Sequence, residues 1–125
     1  MHTILIVDDE FGIGEVLESF LTDAGYRVVI AINGRQGLER LAEVRPDLVL
    51  LDFMMPVMDG PAMCRAMAAD PALKDIPVVM MSGLPEPVVA KACSGYAAFL
   101  RKPFRMKTAM DAIMSVLGGG VPEKG

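Results

Sequence analysis

VLLDFMMPVMDG, from Val49 to Gly60, is an apolar run that closes on a carboxylate, Asp52, and is then interrupted by Pro56 and by Asp59-Gly60. Its first residues are continuously rather than alternately hydrophobic, which suits a strand covered on both faces. A carboxylate ending such a strand stands at the rim of the core, where an uncompensated charge is strongly unfavourable. Cations or strong donors from elsewhere in the chain must therefore reach Asp52.

Outward from this stretch, the chain alternates short β-like runs with amphipathic helical ones. The strand candidates are TILIV (Thr3 to Val7), RVVIA (Arg27 to Ala31), DLVLL (Asp47 to Leu51), IPVVMM (Ile76 to Met81) and AAFL (Ala97 to Leu100). Between them, Val16, Leu17, Phe20, Leu21 and Ala24 mark one helix face, stopped at Gly25. Leu38, Leu41 and Ala42 mark a second helix with Asn33 as its cap. Ala62, Met63, Ala66 and Met67 mark a third, with Pro61 suited to the first helical position. Met106, Ala109, Met110, Ile113 and Leu117 form a final stripe. The fourth helix is the weak one, since Pro85 and Pro87 in SGLPEPVVAKACSG leave about two turns starting near Pro87, a segment expected to be short or mobile.

Strands alternating with helices predict right-handed crossovers and a parallel sheet with helices on both faces, an α/β doubly wound architecture. The carboxyl ends of its strands then share one edge, where ligand sites form. Asp8 and Asp9 follow the first strand, Asp52 ends the third, Ser82 follows the fourth and Lys102 follows the fifth. Three carboxylates around one hole favour a hard divalent cation with oxygen ligands, and Mg2+ is the natural candidate. Lys102 adds a point charge and Ser82 a hydroxyl, which together suit the oxygens of a phosphoryl group. Asp52 is then a carboxylate nucleophile able to form an aspartyl phosphate.

Composition excludes several other chemistries. The 125-residue chain is 53% hydrophobic and 22% charged, the profile of one globular domain. No apolar stretch is long enough to span a bilayer, and MHTILIVDDE lacks the features of a secretory signal, so a cytoplasmic location with no membrane partner is expected. A formal charge of −4 argues against a nucleic-acid surface on this domain. His2 is the single histidine and lies at the terminus, which removes Ser-His and Cys-His nucleophile schemes. Cys64 and Cys93, without CxxC spacing, read as small buried hydrophobes, and most of the eleven methionines read as core filler.

The acid pair in VDDE, the D-x-x-M-P-x-x-D-G block DFMMPVMDG, MSG after the fourth strand and KPF after the fifth occur in one order that resembles the response-regulator receiver domains of two-component signalling, from Thr3 to Leu117. The resemblance implies a five-stranded flavodoxin-like (βα)5 sheet of order 2-1-3-4-5, occupying residues 1–118, with 119–125 (GGVPEKG) as a flexible tail or the start of a linker. It implies Asp52 as phosphoacceptor, Asp9 as a direct Mg2+ ligand with Asp8 beside it, and the backbone carbonyl of Met54 as a further ligand. Ser82 and Lys102 would contact the phosphoryl oxygens, Phe99 would be the aromatic that moves with Ser82, and Pro103 would follow a cis peptide bond. Met54 and Leu84 stand where receivers often carry polar side chains beside the phosphoryl group, which implies a long-lived mark. The implied donor is a sensor histidine kinase or a histidine phosphotransfer protein. The face of the fourth helix, fifth strand and fifth helix would meet an effector or a second copy. Such a domain catalyses only its own phosphorylation and dephosphorylation.

Other readings compete with this one. Taken alone, Asp8, Asp9 and Glu10 are a solvated helix cap, Asp59-Gly60 is a turn, Phe99 is core and Ser82-Gly83 starts a loop. The glycines of GIG, Gly12 to Gly14, hint at a dinucleotide fingerprint, but Leu17 replaces its third glycine and the preceding acids would repel a pyrophosphate. A Mg2+-dependent phosphohydrolase with an aspartate nucleophile is the enzyme alternative. Such enzymes usually carry a second acid two residues after the nucleophile, where this chain has Met54.

Overall fold

The computed structural model describes residues 2–118, so the tail expected at 119–125 lies outside the described residues. Five strands alternate with five helices: β1 Thr3–Val7, α1 Phe11–Asp23, β2 Arg27–Ala31, α2 Gly34–Val44, β3 Leu48–Asp52, α3 Gly60–Ala68, β4 Val78–Ser82, α4 Glu86–Ala92, β5 Ala98–Arg101 and α5 Met106–Leu117. All pairings are parallel and the sheet order is β2-β1-β3-β4-β5. This is the doubly wound, flavodoxin-like order expected from the sequence.

The continuous hydrophobicity of the strands is explained by two separate cores. On one face Ile4, Ile6, Leu48, Leu50, Val79 and Met81 meet Leu17 and Leu21 of α1 and Ala109 and Ile113 of α5. On the other, Leu5, Val7, Val49, Leu51 and Met80 meet Leu41 of α2, Met63 and Met67 of α3 and Val89 of α4. Alternate side chains of each strand thus serve opposite faces, which is why polar residues are absent from the strand centres. Four methionines are buried in these cores and four more pack against them, whereas Met54 and Met114 are exposed.

Helix ends follow local chemistry. The Asn33 side chain accepts the Gln36 N–H at 2.8 Å and caps α2, while Gly25, at φ +95°, takes the left-handed turn that ends α1. Several boundaries differ from the sequence reading. β3 runs one residue later than Asp47 to Leu51 and includes Asp52. β4 starts at Val78 because Pro77 offers a carbonyl to Val49 but has no N–H for the ladder. Asp59 is more than a turn residue: its carboxylate accepts the Ala62 N–H at 2.9 Å and caps α3, placing Pro61 second in the helix. In α1 the stripe is narrower than expected, since Val16 and Phe20 are half exposed. α4 has seven residues and begins at Glu86.

Candidate functional site

The carboxyl ends of β1, β3, β4 and β5 bring four of the five expected polar groups into contact or close proximity. Lys102 Nζ lies 3.1 Å from Asp8, 3.3 Å from Asp52 and 3.1 Å from Glu10. Asp8, Asp52 and Ser82 are the buried polar residues among the described residues, at 3%, 6% and 2% exposure, and all three sit at this edge. Ser82 lies beside Lys102 through the backbone, its carbonyl accepting the Lys102 N–H at 2.7 Å, while its hydroxyl accepts the Leu84 N–H at 2.9 Å. The Lys102–Pro103 peptide bond is cis.

Carboxylate oxygens of Asp8, Glu10 and Asp52 all fall within 4.8 Å of one another, a spacing and donor type that fit a hard divalent cation. Asp9, expected as the direct ligand, is exposed and stands outside this group. It lines the adjoining cleft of about 380 Å³ above Asp52, together with Met54, Ser82, Leu84 and Lys102. Phe99 is half buried against the core that contains Met80 and Val89, with its ring 6.1 Å from that of Tyr96. The cap reading of the first acids holds in part, since Asp8 accepts the Glu10 N–H at 2.8 Å at the entrance to α1, but the Glu10 side chain forms no cap bond.

A model of the response regulator receiver domain matches residues 4–114. This chain belongs to that family. As a receiver domain it is 38% identical over 116 residues to the DNA-binding response regulator MtrA of Mycobacterium tuberculosis, and 33% identical over 119 residues to the DNA-binding dual master transcriptional regulator RpaA of Synechocystis. These alignments cover 91% and 94% of the chain but only 50% and 49% of the relatives, so the chain spans about half their length. Among solved structures, the signal receiver domain of a signal transduction histidine kinase from Syntrophus aciditrophicus superposes with a TM-score of 0.88 at 32% identity, covering 98% of this chain and 95% of the other. The chemotaxis response regulator CheY4 of Vibrio cholerae superposes at 0.85 with 31% identity, covering 93% and 98%. The chain is a receiver domain of two-component signalling.

Electrostatics of the receiver site follow from burial and crowding. Burial and then the neighbouring Asp8 charge raise the Asp52 carboxyl to about 6, against the lowering effect of Lys102. Burial opposes the charge of Lys102, yet the charges of Asp52 and Asp8, with the hydrogen bonds that Lys102 donates to Glu10 and Asp8, outweigh it and raise its pKa. The ammonium is thus held charged among anions, and Asp52 is an acid whose ionised form needs a cation nearby.

Four residues at or near this site were not assigned these contacts from the sequence, although Glu10 was read as part of a helix cap and Gly60 as a turn residue. Glu10 contributes the third carboxylate to Lys102. Gly60 is required by space, because a Cβ there would stand 2.5 Å from the Asp52 carbonyl oxygen and 3.0 Å from the Cα of Phe53. Arg101 donates from Nε to the Gly83 carbonyl at 2.8 Å and ties the loop after β4 to β5. The Tyr96 hydroxyl donates to Glu86 at 2.9 Å, joining the start of β5 to the first turn of α4. A run of three acids at a strand end was the available signal for Glu10, and the closing glycine of the D-x-x-M-P-x-x-D-G block that for Gly60; nothing in the sequence pointed to the contacts of Arg101 and Tyr96.

Proposed function

We propose that Asp52 accepts a phosphoryl group from the phosphohistidine of a sensor kinase or histidine phosphotransfer protein. A carboxylate oxygen of Asp52 attacks phosphorus, the P–N bond breaks, its electron pair leaves with the imidazole, and an aspartyl phosphate forms. The observation that supports this most is the 3.3 Å pairing of a buried Asp52 with Lys102 inside a cluster of acids, open to solvent on one side. Mg2+, when bound, neutralises charge on the transferring group; Asp8, Asp9, Asp52 and the Met54 carbonyl would hold it. Lys102 binds a phosphoryl oxygen, and Ser82 gives up its bond to the Leu84 N–H to do the same.

Ser82 moving toward the phosphoryl group frees space for Phe99, and the α4, β5 and α5 face then presents a different surface to an effector or a second copy. DNA contact, where a regulator makes it, belongs outside this acidic domain, which occupies residues 1–118. Met54 and Leu84, both exposed and both lining the cleft, bring no group that could align a water. The phosphoryl mark is therefore long-lived, and Met54→Asn with Leu84→Glu shortens its lifetime, read as loss of label with time. The absence of an acid at Met54 also weighs against a multiple-turnover phosphohydrolase.

The deciding experiment is mass spectrometry after exposure to a small phosphodonor with Mg2+. One phosphoryl group on Asp52 is expected, and none in Asp52→Asn. Equal labelling of the two proteins would overturn the assignment.

A further inference from the structure

Lys102 offers one positive charge to three anions, and those anions differ in how freely they move. The Asp8 and Asp52 side chains are 0% and 8% exposed, whereas that of Glu10 is 61% exposed. Glu10 is nevertheless anchored at its base, because the Asp8 carboxylate accepts its backbone N–H at 2.8 Å. Its exposed carboxylate thus extends from a fixed point at the mouth of the cleft. The Lys102 ammonium, 3.1 to 3.3 Å from the three acids, lies among oxygens that are themselves within 4.8 Å of one another. This is the same small space that suits a compact divalent cation, and two cations cannot both be centred there without strong repulsion.

We propose that Glu10 is a positioning residue for Lys102: it is the carboxylate to which the ammonium withdraws when a divalent cation takes the space between Asp8 and Asp52. The inference rests on the reading of this cluster as a Mg2+ site. Without Glu10, Lys102 has only the two acids that the cation also needs. With Glu10, the ammonium keeps a paired anion at the rim and stays within reach of a phosphoryl group on Asp52. A metal ligand would act on the ion directly, whereas Glu10 acts through Lys102, and a double-mutant cycle separates the two roles.

Mg2+ affinity is measured by calorimetric titration of the full chain in the parent, Glu10→Gln, Lys102→Met and the double variant, without phosphodonor. Glutamine preserves the shape of Glu10 and removes its charge. In the parent background Glu10→Gln weakens Mg2+ binding about fivefold or more, within the range of coupling seen between residues sharing one ion-pair network. In the Lys102→Met background the same substitution changes affinity by less than about twofold. Lys102→Gln takes the same place in the cycle if the methionine variant does not fold. Equal weakening in both backgrounds would make Glu10 a ligand or a general source of charge and overturn the proposal; so would unchanged affinity in the parent background. A parent protein that binds no Mg2+ would overturn the metal reading itself, an outcome distinct from a failure of Glu10 alone.

Discussion

β3 precedes Ser82 in the chain and α4 follows it, and the two are held in very different ways. Every residue of β3 is buried and the strand is paired with β1 on one side and β4 on the other. α4 is seven residues long with Val89 as its buried residue, and Val88 is 48% exposed. Its surroundings are tied by a few polar contacts, Tyr96 to Glu86 and Arg101 to Gly83. Asp52 is thus carried by a fully buried strand, while the helix that follows Ser82 is one of the least confined elements. On the function proposed above, chemistry that needs fixed geometry and a response that needs movement would fall on elements of very different stiffness.

The largest test of this contrast is a pair of truncations. Leu50→Ala, at 0% exposure in β3, should lower stability by about 3 kcal/mol, while Val88→Ala in α4 should change it by less than about 0.5 kcal/mol, both read from urea midpoints at constant slope. Similar values would dissolve the distinction. Adding a methyl probes the same difference from the other direction. Gly60→Ala would drive a Cβ into the Asp52 carbonyl and should destabilise by about 2 kcal/mol, whereas at Gly83, with nothing within 4 Å of an added Cβ, alanine should be nearly neutral.

A third measurement concerns the charge of Asp52. With its folded pKa raised from 3.8 to about 6, Asp52 binds more protons in the native than in the unfolded state between those values. Stability of the metal-free protein should therefore fall as pH rises from about 4 to about 6. The shift corresponds to roughly 3 kcal/mol at full strength and, screened by solvent in the open cleft, to about 1–2 kcal/mol. Asp52→Asn removes this contribution to the slope, which chelator-treated samples across that pH range would show. The smallest effect is expected at α4: Tyr96→Phe should leave the urea midpoint within about 0.5 kcal/mol of the parent while speeding amide exchange in α4. If exchange accelerates equally in β3, the two regions are not independent.

Much of this was legible because it depends on period and order. Continuous apolar runs marked the five strands, alternation with helices fixed their direction, and the strand ends then gathered Asp8, Asp52, Ser82 and Lys102. Side-chain reach was less legible. Whether an exposed acid such as Glu10 turns back over a lysine 92 residues away depends on a rotamer and not on a pattern. Gly60 looks like any glycine after aspartate until the backbone behind Asp52 is seen to leave no room for a methyl. Val16 and Phe20 fit the helical stripe of α1 yet remain half exposed, because hydrophobic residues need not all be inside. Boundaries slipped by a residue or two where proline or a cap, rather than hydrophobicity, set the end.

The ion pair between Asp8 and Lys102 joins residues 94 positions apart, one after the first strand and the other after the last. Closing so long a loop is entropically unfavourable and is repaid only when the intervening strands are in register. During synthesis Asp52 emerges well before its lysine, and any chain stopped short of β5 carries this carboxylate without its cation. On the function proposed above, competence for phosphoryl transfer would come only once β5 has joined the sheet, which would make the site a check on a finished fold.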